Sequence, residues 1–288
     1  MIRLPGIIKV TSMLALDFLT MYVLFNDLVV ASAVTGIIAL YVLFGGYIAL
    51  FKEGAVRSDK LPSYERSRLD AAKKQITEDV KNVSSINISG VKFYLIDGDH
   101  DMQATAYGMH CVSVSRGTLD NTDPMTLNAV LSHEISHTVN LDAEFSRALF
   151  SGIMMICVGI SILSFSFIAI MFLVFLVCGF FASWFGIIFF KGTTTVISCV
   201  FDLFQKGIVL LARAIIGCLN RSCEYRCDRY SAQLGYGLQL SHFLSYAAPE
   251  SHRQLSFTDA LYRSHPATPK RIARLEAYAN TESGLVSK

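Results

Sequence analysis

Two histidines stand four residues apart in the stretch LSHEISH, residues 131–137, and a glutamate follows the first of them directly. On a helix, positions four apart lie on one face, one turn from each other. His133 and His137 can therefore aim both imidazoles at a single metal ion. Glu134 is poorly placed as a ligand but well placed to hold a water against that ion and take its proton. The chemistry such a group would do is metal-assisted hydrolysis. The same spacing also arises by chance on solvated helix faces, so a third ligand and a positioning scaffold must be found.

The candidate third ligand lies far downstream, in NRSCEYRCDRYSA, residues 220–232. Glu224 and Asp228 are again four apart. A glutamate one turn before an aspartate offers a metal ligand and an acceptor that can orient a ligating histidine. Arg221, Arg226 and Arg229 stand alongside, so a surface helix laced by ion pairs fits the same residues, and the spacing leaves both readings open. Two histidines and a glutamate around one zinc, with a fourth position open, is the usual catalytic arrangement.

The elements that must carry these residues are legible in part. Residues 63–82 have Leu69, Ala72, Ile76 and Val80 on one stripe, which predicts an amphipathic helix. VKFYLID, residues 91–97, alternates like a strand, and HCVSVS, residues 110–115, is a second candidate. In NTDPMTLNAVLSHEISH, Asp123 can cap a helix and Pro124 suits its first position, so the two histidines fall on a predicted helix.

Much of the remaining chain belongs in lipid. Mean hydropathy is +0.45, and only 17% of the 288 residues are charged, against about 25% in an ordinary soluble domain. Residues 10–51, between Lys9 and Lys52, contain only Asp17 and Asp27 as charges, long enough for two spans meeting near Asn26 and Asp27. Ala31-Ser32-Ala33 resembles a signal-peptide cleavage site, but the apolar run continues past it to Phe51. Asp17, deep in the first span, should face protein and not lipid. From Ala148 to Phe190 there is no charge at all, and residues 195–219 continue apolar except for Asp202, Lys206 and Arg213 on one helical stripe. A metal shared by His133, His137 and Glu224 requires this block to cross the membrane an even number of times, hence a second hairpin. Basic residues flank the first hairpin and are absent from its tip, which places the polar segments in the cytoplasm.

A net charge of +2 gives no case for nucleic acid. The seven cysteines are an odd number, partly inside apolar runs, and form no disulfide framework. Cys218, Cys223 and Cys227 cluster without a C-x-x-C pair and read as small packing residues, a separate thiolate site being the alternative.

Four ordered motifs now carry a resemblance. LSHEISH, CEYRCD (223–228), SHPATPKRIARL (264–275) and QATAYGM (103–109) together resemble the HtpX-like membrane zinc metallopeptidases, relatives of the CAAX prenyl proteases. Gln103 stands where that family usually has asparagine, and the second membrane block is longer than the family leads one to expect. The resemblance implies an α-helical integral membrane protein with about four transmembrane helices in two hairpins and a small α+β catalytic domain of the zincin (gluzincin) type. Its parts would be an N-terminal hairpin (1–56), a first catalytic part (57–147), a second membrane unit (148–219) and a second catalytic part (220–288). It implies one Zn²⁺ held by His133, His137 and Glu224, with Glu134 as general base. Asp228 would orient a histidine ligand, His265 would lie near the substrate carbonyl, and Arg271 would help hold the site together. The CVSVS strand would form the cleft edge on which an extended peptide adds. Expected partners are the bilayer and membrane-protein or peptide substrates, at the cytoplasmic face of a bacterial inner membrane. A prenyl-protein processing protease and a non-catalytic zinc-binding scaffold are the rival readings; the intact Glu134 speaks against the second.

Overall fold

The computed structural model describes residues 3–84, 86–179, 183–247 and 266–286. Helix α1 (Leu4–Phe25) and helix α2 (Leu28–Lys52) turn back on each other at Asn26 and Asp27. Asn26 takes the left-handed conformation (φ 47°), and the Asp27 carboxylate caps α2 by accepting from the Val29 and Val30 N–H groups. This is the turn expected from the sequence. Asp17 is 1% exposed and packs against Gly152, so the carboxylate faces protein, as its cost in lipid requires.

A short strand β1 (Val56–Arg57) leads to α3 (Ser63–Val83), whose Leu69, Ala72, Ile76 and Val80 are all buried, the stripe read from the sequence. Strands β2 (Lys92–Ile96), β3 (Ala104–Gly108) and β4 (Cys111–Ser115) complete a four-stranded sheet of order β1-β2-β4-β3. Helix α4 (Arg116–Asn121) links the sheet to α5 (Pro124–Val139), capped by Asp123 through the Met125 and Thr126 N–H groups at 2.9 and 3.1 Å. Helices α8 (Gly237–Ala247) and α9 (Thr268–Val286) close the layer. The core joins Ile76, Phe93, Val112, Leu131, Phe243 and Leu275 from these elements. Each large apolar side chain buried there contributes about 1.5–3 kcal/mol.

The sheet corrects one expectation. The CVSVS strand is not the cleft edge: β4 is parallel to β2 on one side, antiparallel to β3 on the other, and buried at all five positions. With both flanks hydrogen-bonded, β4 has no free backbone to offer. Of the sheet's two edges, β3, formed from the ATAYG residues of the preceding motif, is the one beside the cleft, and among the described residues it pairs with β4 alone.

The β3–β4 turn is fastened to the membrane helices. Gly108, Met109 and His110 all have positive φ (88°, 42° and 71°), a conformation only glycine adopts freely. Helix α6 (Asp142–Gly179) supplies Glu144, whose carboxylate accepts from the Met109 N–H, and Arg147, which donates to the Tyr107 carbonyl at 3.2 Å. From α2, the Tyr47 hydroxyl donates to the Met109 carbonyl at 3.2 Å. Gly46 permits the approach, since a Cβ there would overlap the Tyr107 carbonyl oxygen. These bonds hold two non-glycine residues in left-handed geometry and aim β3.

Helix α7 (Ser183–Gln233) runs back along α6. Gln205 meets Cys157, Ser146 meets Asn220, and Asp142 meets Cys223, so the pair is antiparallel along its length. The 38 residues of α6 extend about 57 Å. The 22 residues of α1 extend about 33 Å, close to a hydrocarbon core of about 30 Å. Among the described residues, four helices are long and apolar enough to cross a membrane. The connection between α6 and α7 lies outside the described residues.

Because Asp142 and Cys223 stand together at one end of this hairpin, both ends must emerge on one side of the membrane. Topology reporters fused after Asp142 and at Lys288 should read the same side, and a reporter at Asn26 the opposite one. Opposite readings from the first two would overturn the antiparallel pairing.

Candidate metal centre

Two helices face each other across the centre. On α7, Glu224, Asp228 and Ser231 recur at helical spacing and form one stripe, directed at α5. At the far end of the stripe the Ser231 hydroxyl donates to the Ala129 carbonyl at 3.1 Å, and the Ser132 hydroxyl lies 2.9 Å from it. Small hydroxyl side chains let the helices approach closely, and this brings the acidic residues onto the histidines.

Glu224 reaches both imidazoles. Its Oε2 is 3.4 Å from His133 Nε2, and its Oε1 is 3.5 Å from His137 Nε2. Ligands at 2.0–2.2 Å around a tetrahedral ion stand about 3.3–3.6 Å apart, so these separations suit one zinc-sized ion. His133, His137 and Glu224 form a group able to hold a metal, all of it little exposed. The other ring nitrogens face carboxylates too. His133 Nδ1 is 3.1 Å from Asp228 Oδ1, without the alignment of a hydrogen bond, and His137 Nδ1 is 2.9 Å from Asp142 Oδ2 with it. Such partners fix the tautomer that leaves Nε2 free to ligate.

Two guanidiniums balance the acids. Arg271 from α9 forks onto Asp228 (2.7 and 2.9 Å) and places Nη1 2.9 Å from Glu224 Oε2. Arg226 pairs with Asp142, and Lys9 lies 3.9 Å from the same carboxylate at the rim. Counting Glu134, the carboxylates remain in excess over the buried cations. The imidazoles register this. Burial works against a proton on His133, but Asp228 and Glu224 outweigh it and hold its pKa at about 10. Burial likewise opposes protonation of His137, and Cys227, Asp142 and Glu224 raise it well above the ordinary value. The centre thus attracts positive charge, which a divalent ion satisfies once the imidazoles are neutral. Glu134 has its carboxyl raised by burial, against the pull of both imidazoles.

Glu134 and the two histidines line a cleft of about 550 Å³. Its walls are β3, with Met102 and Gln103 before it, and the apolar face of α8 with Leu240, Phe243 and Leu244.

The structure brings together His133, Glu134, His137, Glu224, Asp228 and Arg271; His265 lies outside the described residues. Sequence reasoning missed Asp142. The available signal was an acidic residue at the first position of the next helix, five residues after His137. Arg226 was grouped with the possible ion-pair partners of Glu224 and Asp228, but it turns to Asp142.

The model of peptidase family M48 matches residues 68–279. The chain belongs to that family. The resemblance drawn from the four motifs is borne out at this level, and the family is one of peptidases, the enzyme class to which the motifs led. No curated protein matches the chain. Among solved structures, the crystal structure of S. mikatae Ste24p is similar, at 17% identity and a TM-score of 0.48. The likeness covers 90% of this chain and 60% of that one, so the chain spans about three-fifths of that protein's length.

Asp142→Asn removes the charge behind His137 and leaves Glu224 in place. Zinc affinity should fall about 10–100-fold, as is usual when such a partner is lost. Competition against a chelator measures it, and an unchanged affinity would show that the 2.9 Å contact does not tune the centre.

Proposed function

We propose that the chain is a membrane-embedded zinc endopeptidase, with His133, His137 and Glu224 as ligands and Glu134 as general base. The observation that carries this reading is the pair of 3.4 and 3.5 Å separations between Glu224 and the two Nε2 atoms, beside a carboxyl open to the cleft. Asp228 and Asp142 orient the two imidazoles, and Arg271 keeps Glu224 and Asp228 from repelling each other.

An extended peptide enters along β3, whose outer edge is unpaired in the sheet, and lies as an added strand with alternate side chains toward α8. Zinc, when bound, supplies Lewis acidity that activates water and polarises the scissile carbonyl. Glu134 accepts the proton from that water and delivers it to the leaving amine. His265 keeps in this reading the role of donating to the oxyanion that develops on the substrate carbonyl.

The same reading includes the four-part organisation, with spans in 1–56 and 148–219 and catalytic parts in 57–147 and 220–288. Positive flanks of the first hairpin put the cleft on the cytoplasmic face, for a bacterial chain that of the inner membrane. Substrates would then be membrane proteins or their cytoplasmic loops, cleaved in quality control or processing.

Glu134→Gln should keep full metal occupancy and lose roughly 10²–10⁴-fold in cleavage of a membrane-protein panel. Cleavage at the wild-type rate would remove the general-base assignment. Glu224→Ala should instead lose the metal itself, read by elemental analysis after brief exposure to a chelator. Full occupancy with unchanged chelator resistance would mean that the third ligand lies elsewhere.

A further inference from the structure

A second metal-competent group shares His137 with the first. His137, Asp142 and Cys227 each offer one ligand atom, and the three atoms lie within 4.8 Å of one another. Asp142 Oδ2 stands 2.9 Å from His137 Nδ1, the nitrogen that Glu224 does not face. The Cys223 sulfur lies 3.5 Å from the other oxygen of that carboxylate. Cys223 and Cys227 are four apart on α7, so both sulfurs fall on one face of the helix. Cys227 is fully buried, but Cys223, Asp142 and His137 line the cleft and give an ion its way in.

A cation already holds this place. Arg226 pairs with Asp142 and puts Nη1 3.8 Å from the Cys223 sulfur and Nη2 3.9 Å from the Cys227 sulfur. One guanidinium thus touches three of the four donors. Its side chain is 31% exposed, so it can swing out into water and leave the donors to an ion. Ligands 2.0–2.3 Å from a tetrahedral ion stand about 3.3–3.8 Å apart. Rotation about the Cys227 side chain closes the remaining gap. Two sulfurs beside an imidazole and a carboxylate select a thiophilic ion. The tautomer of His137 links the two groups, because a neutral imidazole has one unprotonated nitrogen. With Nδ1–H on Asp142, Nε2 is free for the ion at Glu224. An ion on Asp142 and Nδ1 moves that proton to Nε2 and takes His137 out of the first group.

We propose that Cys223, Cys227, Asp142 and His137 Nδ1 form a second metal site, for a thiophilic divalent cation, and that filling it withdraws His137 from the first. On binding, two metal–sulfur bonds form, both S–H bonds break, and the two protons pass to solvent. Arg226 turns outward as the ion enters. The site itself is independent of the peptidase reading, while its effect on zinc rests on His137 being a zinc ligand.

The test titrates the full chain in detergent, loaded with one equivalent of zinc, with Cd²⁺. It follows the ultraviolet cadmium–thiolate charge-transfer band and the zinc released to a chelating dye. In wild type the band should saturate at one equivalent of cadmium as zinc leaves. Cys227→Ala should weaken cadmium binding about tenfold or more. Cys223→Ser, with one thiolate left, should roughly halve the band. Arg226→Gln removes the competing cation and should tighten binding about fivefold. Cys218→Ala, a thiol removed elsewhere on α7, should change neither readout. Saturation at one equivalent separates the gain in Arg226→Gln from misfolding, because unmasked thiols would take up more. An unchanged affinity in Cys227→Ala or in Arg226→Gln overturns the site. A band that saturates while all the zinc is retained overturns the withdrawal of His137. Failure of the wild type to hold zinc before the titration would count against the zinc reading alone, since the band still tests the second site.

Discussion

Glu224, only 6% exposed, touches two imidazoles and a guanidinium at once, and the fold is arranged around keeping it there. A buried carboxylate must be compensated or it is lost to protonation. Here compensation comes from three directions: α5 brings the histidines, α9 brings Arg271, and Asp228 one turn along α7 shares that guanidinium. Apolar residues of α5, α7 and α9 share one core, and the ion pairs set how the three helices face each other. The burial of this charge at the meeting of three helices creates the demand for a cation between them.

The hairpins follow from the same requirement. Glu224 stands more than eighty residues after His137, with the whole second membrane unit between them. Only a return of the chain to its starting level can join them, and the antiparallel run of α6 and α7 provides it. The sheet is oriented by a different contact, the grip of Glu144, Arg147 and Tyr47 on the β3–β4 turn. The metal-binding and strand-presenting halves of the cleft therefore both rest on α6.

What could be read from the sequence was local chemistry. The Asp123–Pro124 start of α5, the stripe of α3 and the Asn26–Asp27 turn are each written in adjacent residues, and each stands where expected. The spacing of Glu224 and Asp228 was legible as a shared face, but which of two readings it served depended on a family resemblance. Choices among distant partners were not legible. Nothing near Arg226 says that it turns to Asp142, and Asp142 reads as an ordinary helix-start acid until His137 is seen against it. The edge strand was misplaced because its assignment to CVSVS came from the family resemblance and from no pattern in the residues themselves; Ser113 and Ser115 of β4 are both buried. Strand order is a tertiary fact, and ATAYG has too little apolar pattern to announce an edge.

Helix α7 is one unbroken element from Ser183 to Gln233, and Glu224 and Asp228 are carried on the same rod as its apolar run. A helix of 51 residues is stiff against twisting, since each turn is locked to the next by backbone hydrogen bonds. Axial rotation of its lipid-facing part is therefore rotation of the acidic stripe relative to α5. The apolar run and the acidic stripe thus share one helical axis, and the angle between them is set by backbone geometry.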